Sequence, residues 1–540
     1  SVISLFSMPD PYDHLHSRTL LGGDRAAVGG DETICIFDVN TGKTTAKLDD
    51  KSELIWALAP SPDLRYLLSG GADQTLRIWN LQTFELLFSL FVAADEWIAW
   101  TPQGYYAASL GGESLMGWHI NNGLEPMASF YPAARFHNSL YRPDIVRRLI
   151  QTGDLKAAHA QADALAARTT RPINIQYALP PTVQVMVKQQ PQQEQQSNST
   201  LAVEATATPS GGDPITSLQL LVDGRPHAPP LAVGSDEAAN PVAEQYAWKL
   251  DLPPGSHRLS VRADTDKSYG LGEATATIPE PTLISPAAGG PGKLYVLAIG
   301  ISQYPTPEPR SALAAADARA IADVLPKHGQ QLFADVDVKL LTDGQATRTA
   351  LLQALAWLQG EMTLADTGVV FFSGRGNVDS QGQLQLLAAS VKTAGATAAV
   401  SASELRQALA ATHGKILLLL DVHPAAEIPA QAKDPAAGPI DALVRSVLAG
   451  DCGVAVLSST VRREVPLDLP SAGHGAFAQA LLDALQGAAD ANQDRTIHLN
   501  ELGSYVVARV PALTQDRQHA AFRLPALVRS FPIAKAVVNP

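Results

Sequence analysis

Runs of apolar residues alternate with segments of helical periodicity from residue 293 to the end of the chain. The apolar runs are KLYVLAIGI, VDVKLLT, VVFFS, KILLLLDV and GVAVLSST, and the helical segments cover 312–327, 346–360, 402–411, 440–449 and 475–487. Strands that are apolar at nearly every position are typical of a mostly parallel sheet with helices on both faces. The pattern predicts an α/β domain over 293–540, with functional residues just after the carboxyl ends of its strands.

A different pattern, short segments of alternating apolar and polar residues, fills 172–280. Asp223-Gly224 supplies one of the turns between neighbouring segments. Six or seven strands of this kind indicate an immunoglobulin-like β-sandwich. Before it, 124–171 is predicted to be a helical connector with two short helices, and after it 281–292 is predicted to be a linker.

The first part of the chain contains a repeat. GGDETICIFDVNTGK at 29–43 aligns with GGADQTLRIWNLQTFE at 70–85 and, more loosely, with GGESLMGWHINNG at 111–123. Phe37, Trp79 and Trp118 occupy the equivalent place, 42 and 39 residues apart. That spacing matches the period of a WD40-type β-propeller blade, about 40–45 residues, in which Asp31 and Asp73 would precede the third strand.

We therefore interpret 1–123 as the C-terminal blades of a WD40-like propeller. A propeller closes with roughly four to eight blades, because an open one leaves sheet edges unpaired. Two and a half to three blades cannot close, so we expect earlier blades upstream of residue 1 or blades from another subunit. The predicted fold class is multidomain: a partial WD40-type β-propeller, an immunoglobulin-like β-sandwich and an α/β domain.

Charge and cysteine content exclude several classes of function. The formal net charge of −13 argues against nucleic acid as a partner, since proteins that bind it carry basic patches. Uninterrupted apolar runs of about 18 residues, the length of a transmembrane helix, do not occur in the sequence. Cys35 and Cys452 are the only cysteines and lie far apart in the sequence, so they form neither a disulfide framework nor a thiolate zinc site.

The segment 293–540 resembles the caspase-like cysteine peptidase domain that some bacterial proteins append to WD40 repeats. The resemblance rests on KLYVLAIGISQY, AAADARAIADVL, VKLLTDGQATRTALLQALAWL, VLSSTVRREVPLDL and GHGAFAQALLDAL, which occur in the family's order and spacing. It implies a caspase-like α/β fold of the C14 peptidase type and a bacterial origin.

Both catalytic positions of that family are changed. The family's third strand ends Ser-Gly-His-Gly and its fourth ends Asp-x-Cys, whereas this chain has Ser373–Gly376 reading SGRG and Asp421–His423 reading DVH. Arg375 cannot act as a general base because its guanidinium stays protonated, and His423 has no thiol to activate. The domain is therefore predicted to be a pseudo-caspase.

Other residues near these strands are weaker candidates. The resemblance assigns Asp421 to a pocket for a basic substrate residue, and we hypothesise that Arg375 pairs with Asp421 or a nearby acid and fills the former cleft. Cys452 is expected at the wrong end of its strand, Cys35 in the core of a blade, and Ser373 would need a base that Arg375 cannot provide.

One segment resembles a calcium loop. DANQDRTIHLNE matches the EF-hand pattern at Asp490, Asn492, Asp494 and Glu501, but Arg495 replaces the glycine of the sixth position. An Asx-capped turn that starts a helix is the alternative. A zinc site from His413, His423 and Asp421 is disfavoured, because two of these lie at opposite ends of one predicted strand.

The sequence thus predicts a catalytically inactive caspase-like protein that acts as a scaffold or protein-interaction subunit of a larger assembly. The alternatives are a regulatory pseudoenzyme that binds peptides in the old cleft and a residual, cysteine-independent hydrolase. Its expected partners are other proteins, and no cofactor is expected apart from the weak calcium candidate. The expected location is cytoplasmic or peripherally attached to a membrane.

Overall fold

The structure is a computed structural model. It describes residues 14–49, 54–94, 96–121, 127–166, 173–189, 200–227, 231–232, 244–279, 292–304, 312–378, 383–389, 399–424, 439–448, 452–461 and 464–536. The predicted linker 281–292 lies outside these residues except for its last position.

The amino-terminal region forms two antiparallel sheets. The first has the order β1-β2-β3-β4, with β1 Ser17–Gly22, β2 Arg25–Gly29, β3 Thr33–Asp38 and β4 Thr44–Asp49. The second contains β5 Ile55–Pro60, β6 Tyr66–Gly71, β7 Thr75–Asn80, β8 Leu86–Ala93, β9 Glu96–Trp100 and β10 Tyr106–Ala108 in sequence order. Apolar side chains of the two sheets, among them Ile34, Leu48, Ile55 and Trp79, share one buried core. The sheets therefore pack face to face, like neighbouring blades.

The third predicted repeat does not form a blade of its own among the described residues. Trp118 lies in β11 (Gly117–Ile120), which pairs with β12 (Ser129–Pro132) in a separate two-stranded sheet. Its ring packs against Phe136 of the connector, with the ring centroids 4.7 Å apart. Among the described residues the third repeat is thus split: β9 pairs with β8 and extends the second sheet, and a third blade at 111–123 stays a prediction.

The connector contains α1 His137–Leu140, α2 Pro143–Thr152 and α3 Leu155–Ala166, and the two longer helices match the prediction. Side chains of the second sheet hold the end of α2. The Tyr66 hydroxyl donates to the Ile150 carbonyl at 2.8 Å, and the Asn80 amide donates to the Gly153 carbonyl at 3.0 Å. These carbonyls lie in and just after the last turn of α2, where partners inside the helix run out.

Two antiparallel sheets with a common core follow the connector. One has the order β13-β14-β18, with β13 Thr182–Gln189, β14 Thr200–Thr208 and β18 Glu244–Asp251. The other has the order β16-β15-β19-β20, with β15 Ser217–Val222, β16 Arg225–Pro226, β19 Gly255–Asp264, β20 Tyr269–Ile278 and the short β17 Leu231–Ala232 beside β15. Val203, Leu220, Trp248 and Val261 belong to the core between them. The immunoglobulin-like classification of these sheets stays a prediction.

The last region is built on a mixed sheet of order β22-β21-β23-β26-β27-β31. Its strands are β21 Leu294–Gly300, β22 Val336–Thr342, β23 Thr367–Val378, β26 Lys415–Pro424, β27 Val454–Ser458 and β31 Ala521–Arg523, with β24 Leu384–Leu387 and β25 Ala399–Ser401 beside β23. Only β31, at one edge of that order, runs antiparallel to its neighbour; the other pairings along the order are parallel. Short pairs β28 Asp468–Leu469 with β29 His474–Gly475, and β30 Thr496–His498 with β32 Pro532–Lys535, lie outside the sheet.

Helices cover both faces of this sheet. One face packs against α4 Ala314–Gly329, α8 Ala476–Asp483 and α9 Leu499–Thr514, and the other against α5 Arg348–Glu361, α6 Ala402–Ala411 and α7 Pro439–Leu448. The alternating pattern of the sequence therefore gives the expected α/β domain. Within the described part of the chain, no helix is both long enough and apolar enough to cross a membrane.

Candidate functional site

The two changed positions lie side by side at the carboxyl ends of the central strands. In the parallel pairing of β23 with β26, Ser373 is opposite Asp421 and Arg375 is opposite His423. Residues two apart on a strand point to the same face, so these four side chains share one face of the sheet. All four are buried, with 0–3% of each residue exposed.

Arg375 packs against Tyr304, which follows β21 in the chain. The main-chain N–H of Arg375 donates to the Tyr304 hydroxyl at 2.8 Å. Its guanidinium carbon lies 4.8 Å from the centroid of the tyrosine ring, within the range of a cation–π contact. Gly374 leaves room for this tyrosine, because a Cβ there would lie 2.8 Å from the hydroxyl.

The side chain next to Asp421 is His423 rather than the Arg375 of our hypothesis. His423 Nε2 lies 3.8 Å from Asp421 Oδ2, and the Ser373 hydroxyl donates to the same oxygen at 3.0 Å. Burial favours the neutral acid, but the imidazole and the hydroxyl outweigh it, so the pKa of Asp421 lies below its usual range. The filling of the former cleft by an ion pair of Arg375 with a nearby acid stays a prediction.

Asp317 and His474 join this cluster, and the sequence analysis did not assign them to it. Asp317 lies on α4, is 1% exposed, and its Oδ1 is 2.8 Å from His474 Nδ1. Burial and the nearby charge of Asp421 raise the pKa of Asp317 to about 8, while burial lowers the pKa of His474. Both shifts favour a neutral acid bonded to a neutral imidazole at pH 7.

A third carboxylate, that of Asp468, completes an acidic group around Gly475. A Cβ at Gly475 would lie 3.1 Å from Asp317, 3.6 Å from Asp421 and 3.9 Å from Asp468. Burial also raises the pKa of Asp468. Carboxylates gathered this closely favour a cation or a proton between them. Among the residues that the structure describes, no three His, Cys, Asp or Glu side chains are placed to hold a metal ion.

Both thiols of the chain lie away from this site. Cys35 is in the middle of β3 and is fully buried. Cys452 precedes β27, whose Val454 is opposite Ile416 of the neighbouring strand, whereas Asp421 lies five residues further along. At about 3.3 Å per residue, that separation exceeds roughly 15 Å, so neither cysteine reaches His423.

The EF-hand-like segment is a tight turn whose acidic side chains accept main-chain hydrogen bonds. Asp490 accepts from the N–H of Arg495 at 3.0 Å, and Asp494 accepts from that of Thr496 at 2.7 Å. Glu501 accepts from the N–H of His498 at 2.9 Å and so caps α9. These bonds are those of an Asx turn followed by a capped helix, which was the alternative interpretation.

A cavity of about 590 Å³ lies away from this site, between the second propeller sheet and the edge strand β31. Its walls include Trp97 and Val507, and the Glu96 carboxylate pairs with the Arg523 guanidinium there at 2.6 Å. None of the residues of the acidic cluster lines this cavity. The former peptidase cleft and this cavity between domains are therefore separate features.

Family models match two parts of the chain. Residues 293–531 match the caspase domain model, Peptidase_C14, and residues 42–80 match the model of the WD domain, G-beta repeat. The chain therefore contains a caspase domain and a WD40 repeat, in the order that the sequence analysis expected.

Curated relatives and solved structures match more narrowly. Human striatin is 33% identical over 91 residues, 16% of this chain and 12% of striatin. The nuclear distribution protein PAC1 of Arthroderma otae is 41% identical over 51 residues, 9% of this chain and 11% of PAC1. The chain thus spans about an eighth of the length of the curated relatives it matches, and its bacterial origin stays a prediction.

Two solved structures also align with only part of this chain, at low sequence identity. A protein from Geobacter sulfurreducens aligns with 45% of this chain and 100% of its own, at 15% identity and a TM-score of 0.30. The WD40 repeats of RRP9 align with 17% of this chain and 36% of their own, at 15% identity and a TM-score of 0.14. At these scores, neither likeness supports an argument about the fold.

Proposed function

We propose that this chain is a catalytically inactive caspase-like protein that serves as a scaffold or protein-interaction subunit of a larger assembly. Two features support the proposal. The chain has a WD40 repeat, a common platform for protein contacts, and a caspase domain with Arg375 and His423 at the family's two catalytic positions. Fold alone does not establish a role, so the site has to support the proposal.

The observation that carries the proposal is the pairing of Arg375 with His423 across β23 and β26. In the family that the domain resembles, these strand ends supply an imidazole base and a thiolate nucleophile. Here a permanently charged guanidinium faces an imidazole, and the chain's two thiols lie elsewhere. Proton transfer from a thiol to a base, the first step of cysteine peptidase chemistry, has no thiol donor here, because the imidazole stands at the nucleophile's position and the guanidinium at that of the base.

Burial supports the same proposal independently. Ser373, Arg375, Asp421 and His423 are each at most 3% exposed, so they present almost no surface to a substrate carbonyl. The imidazole of His423 occupies the space beside Asp421 that a basic substrate residue would need. An enzyme that used this cleft would have to move its own side chains first.

The catalytic half of the proposal is tested with a pool of fluorogenic peptides that varies the residue before the scissile bond. Wild-type protein should show no turnover above that of a doubly substituted control, Arg375→Ala with His423→Ala. Turnover that is present in the wild type and lost in the control would overturn the proposal. Turnover present in both would indicate a contaminating peptidase, which a further purification step removes.

The interaction half is tested by affinity capture from the source organism, followed by native mass spectrometry. A partner at fixed stoichiometry, with cross-links to residues of the propeller sheets or the sheet pair, is the expected result. A monomeric bait without partners at endogenous expression would contradict the scaffold role.

A second candidate function is capture of a basic peptide in the old cleft, and the acidic group around Gly475 favours it. Asp317, Asp421 and Asp468 converge there. Asp421, whose pKa is lowered, would supply the negative charge once His423 moves aside, and Asp317 would have to release its proton to a bound cation. Binding of Arg-containing peptides by the wild type, weakened by Asp421→Asn but not by Asp323→Asn on the exposed side of α4, would favour this function over the scaffold role.

A further inference from the structure

A buried arginine of the sheet pair, Arg225, reaches into the caspase domain, where the more exposed Arg258 also donates to the Ala526 carbonyl at 3.4 Å. Arg225 begins β16, directly after the turn Asp223-Gly224 that the sequence predicted, and only 3% of the residue is exposed. Its Nη2 donates to the carbonyls of Leu409 and Thr412, at 2.6 Å each, and its Nη1 donates to the carbonyl of Cys452. All three acceptors belong to the caspase domain, whereas Arg225 belongs to the sheet pair.

The receiving surface consists of main-chain carbonyls at the end of a helix. Leu409 is in the last turn of α6, and Thr412 is its C-cap residue. The final carbonyls of a helix lack partners inside it and form the negative end of its dipole. A guanidinium offers several N–H donors in one plane, so Arg225 can bind α6 and the chain before β27 at once.

No carboxylate is among the hydrogen-bond partners of the Arg225 guanidinium in the described part of the chain. Burial lowers its pKa to about 10, so the guanidinium stays charged at neutral pH. A buried charge without these acceptors would be very costly. The three carbonyls therefore stabilise the Arg225 side chain strongly in its buried position between the two domains.

Two glycines let the backbones meet at the same place. Gly224 has a φ of 82°, and a Cβ there would lie 2.8 Å from the Leu527 carbonyl. Gly453 has a φ of 64°, and a Cβ there would lie 2.0 Å from the Gly224 carbonyl. The contact thus requires glycine on both sides, and the Asp223 carboxylate fixes the turn by accepting from the N–H of Arg258 at 2.8 Å.

We propose that Arg225 is a latch that joins the sheet pair to the caspase domain, so that the two open and unfold as one cooperative unit. The latch engages the end of α6 and the start of β27, which lie at the amino edge of the parallel strands. The candidate site lies at their carboxyl edge. The sheet pair is therefore held on the side of the domain away from Arg375 and His423.

The latch is tested by hydrogen–deuterium exchange with peptide mass spectrometry on the full chain. In Arg225→Lys, a single ammonium cannot serve all three carbonyls in the same geometry. Amides of β15–β16, of the end of α6 and of the start of β27 should exchange about ten- to a hundredfold faster, the effect of losing hydrogen bonds to a charged group. Arg262→Lys is the matched control, because Arg262 is a buried arginine of the same sheet whose Asp264 partner lies on the same strand.

A second variant and a wild-type measurement keep the proposal falsifiable if Arg225→Lys fails to fold. Gly453→Ala retains Arg225 but forces the backbones apart, and it should speed exchange in the same segments. In the wild type, exchange measured at rising urea should show the segments on both sides losing protection with one slope and one midpoint. Unchanged exchange in the variants, or separate opening of the two sides in the wild type, would overturn the latch.

Discussion

The guanidinium of Arg375 lies over the ring of Tyr304, and the main-chain N–H of the same arginine donates to the tyrosine hydroxyl. Tyr304 therefore holds both the backbone and the side chain of the residue at the former base position. Its hydroxyl also donates to the Leu387 carbonyl at 3.3 Å and so ties the loop after β21 to β24. Burial raises the pKa of Tyr304, which keeps the hydroxyl protonated and able to donate.

Replacing Tyr304 with phenylalanine should destabilise the caspase domain by about 1–3 kcal/mol, because the N–H of Arg375 loses its buried acceptor. Chemical unfolding followed by exchange at β23 measures the effect. Tyr505→Phe is the control, since the Tyr505 hydroxyl makes no hydrogen bond within the described residues. Equal stability of the two variants would mean that the Tyr304 hydroxyl contributes nothing.

Restoring the family's residues, Arg375→His with His423→Cys, should produce detectable cleavage after Arg or Lys. The two positions are direct neighbours on adjacent parallel strands, about 4.8 Å apart, so an imidazole and a thiol would meet there. The substitution also removes the imidazole beside Asp421. Each single variant should stay inactive, and adding Asp421→Asn should abolish the regained activity. A folded, inactive double variant would show that the pocket is no longer formed.

Asp317→Asn should make the stability of the caspase domain less dependent on pH. The folded pKa of Asp317 is about 8, against an ordinary value of 3.8. Between these values the folded state keeps a proton that the unfolded state has lost, so wild-type stability falls as pH rises through this window. Asparagine carries no such proton, and the variant should gain on the order of a few kcal/mol by pH 8. Thermal unfolding from pH 4 to pH 9 measures the difference, with Asp323→Asn as the exposed control on α4; equal curves for both variants would contradict the shift.

His257 should stabilise the sheet pair mainly at low pH. Its two ring nitrogens lie 2.7 Å from Asp223 and 2.8 Å from the Pro253 carbonyl, so the doubly protonated ring fits best. The hydrogen bond to Asp223 raises the pKa of His257 above its ordinary 6.5. The stabilisation is therefore complete below about pH 6.5 and disappears as pH rises through the folded pKa.

The measurement is thermal unfolding of His257→Gln and wild type at several pH values. The variant should be less stable than the wild type at pH 5.5, and the difference should shrink as pH rises through the folded pKa of His257. Asp223→Asn removes the partner and should abolish the same pH dependence. A loss that is equal at all pH values would point to packing rather than charge.

Arg495→Gly should stabilise the turn before α9 by about 1 kcal/mol. Arg495 has a φ of 64°, in the left-handed region, which costs a residue with a side chain roughly 1–2 kcal/mol and glycine little. Calcium should leave the unfolding temperature of the wild type unchanged, because the oxygens of Asp490 and Asp494 accept main-chain N–H groups. A saturable rise in that temperature with calcium would contradict this and restore the EF-hand interpretation.

Local sequence patterns predicted the helices and strands of the caspase domain well, because apolar runs and helical periodicity follow from which positions of an element are buried. The expected helix at 346–360 corresponds to Arg348–Glu361, and the expected helix at 402–411 corresponds to Ala402–Ala411. The carboxyl-end rule also brought Arg375 and His423 together, although both lie inside the last residues of β23 and β26 rather than just after them.

Other features depend on contacts between distant segments and leave no local signal. Asp317 meets His474 across 157 residues of sequence, and only the family resemblance of its helix singled out that segment. The third repeat shows the same limit: a glycine-rich repeat predicts strands, but the partner of each strand depends on packing, here of Trp118 on Phe136. The strand pattern alone could not decide which side chain lies beside Asp421, because both Arg375 and His423 share its face.

The Arg225 contact has a consequence for how relatives of this chain can be compared. Its acceptors are peptide carbonyls, and every residue type presents one. Substitutions at Leu409, Thr412 or Cys452 that keep the backbone in place therefore leave the contact intact, and no partner position has to change when Arg225 changes. Methods that infer proximity from paired changes across alignments will not register this junction. It is detectable only from coordinates, or from the two glycines that the close approach demands.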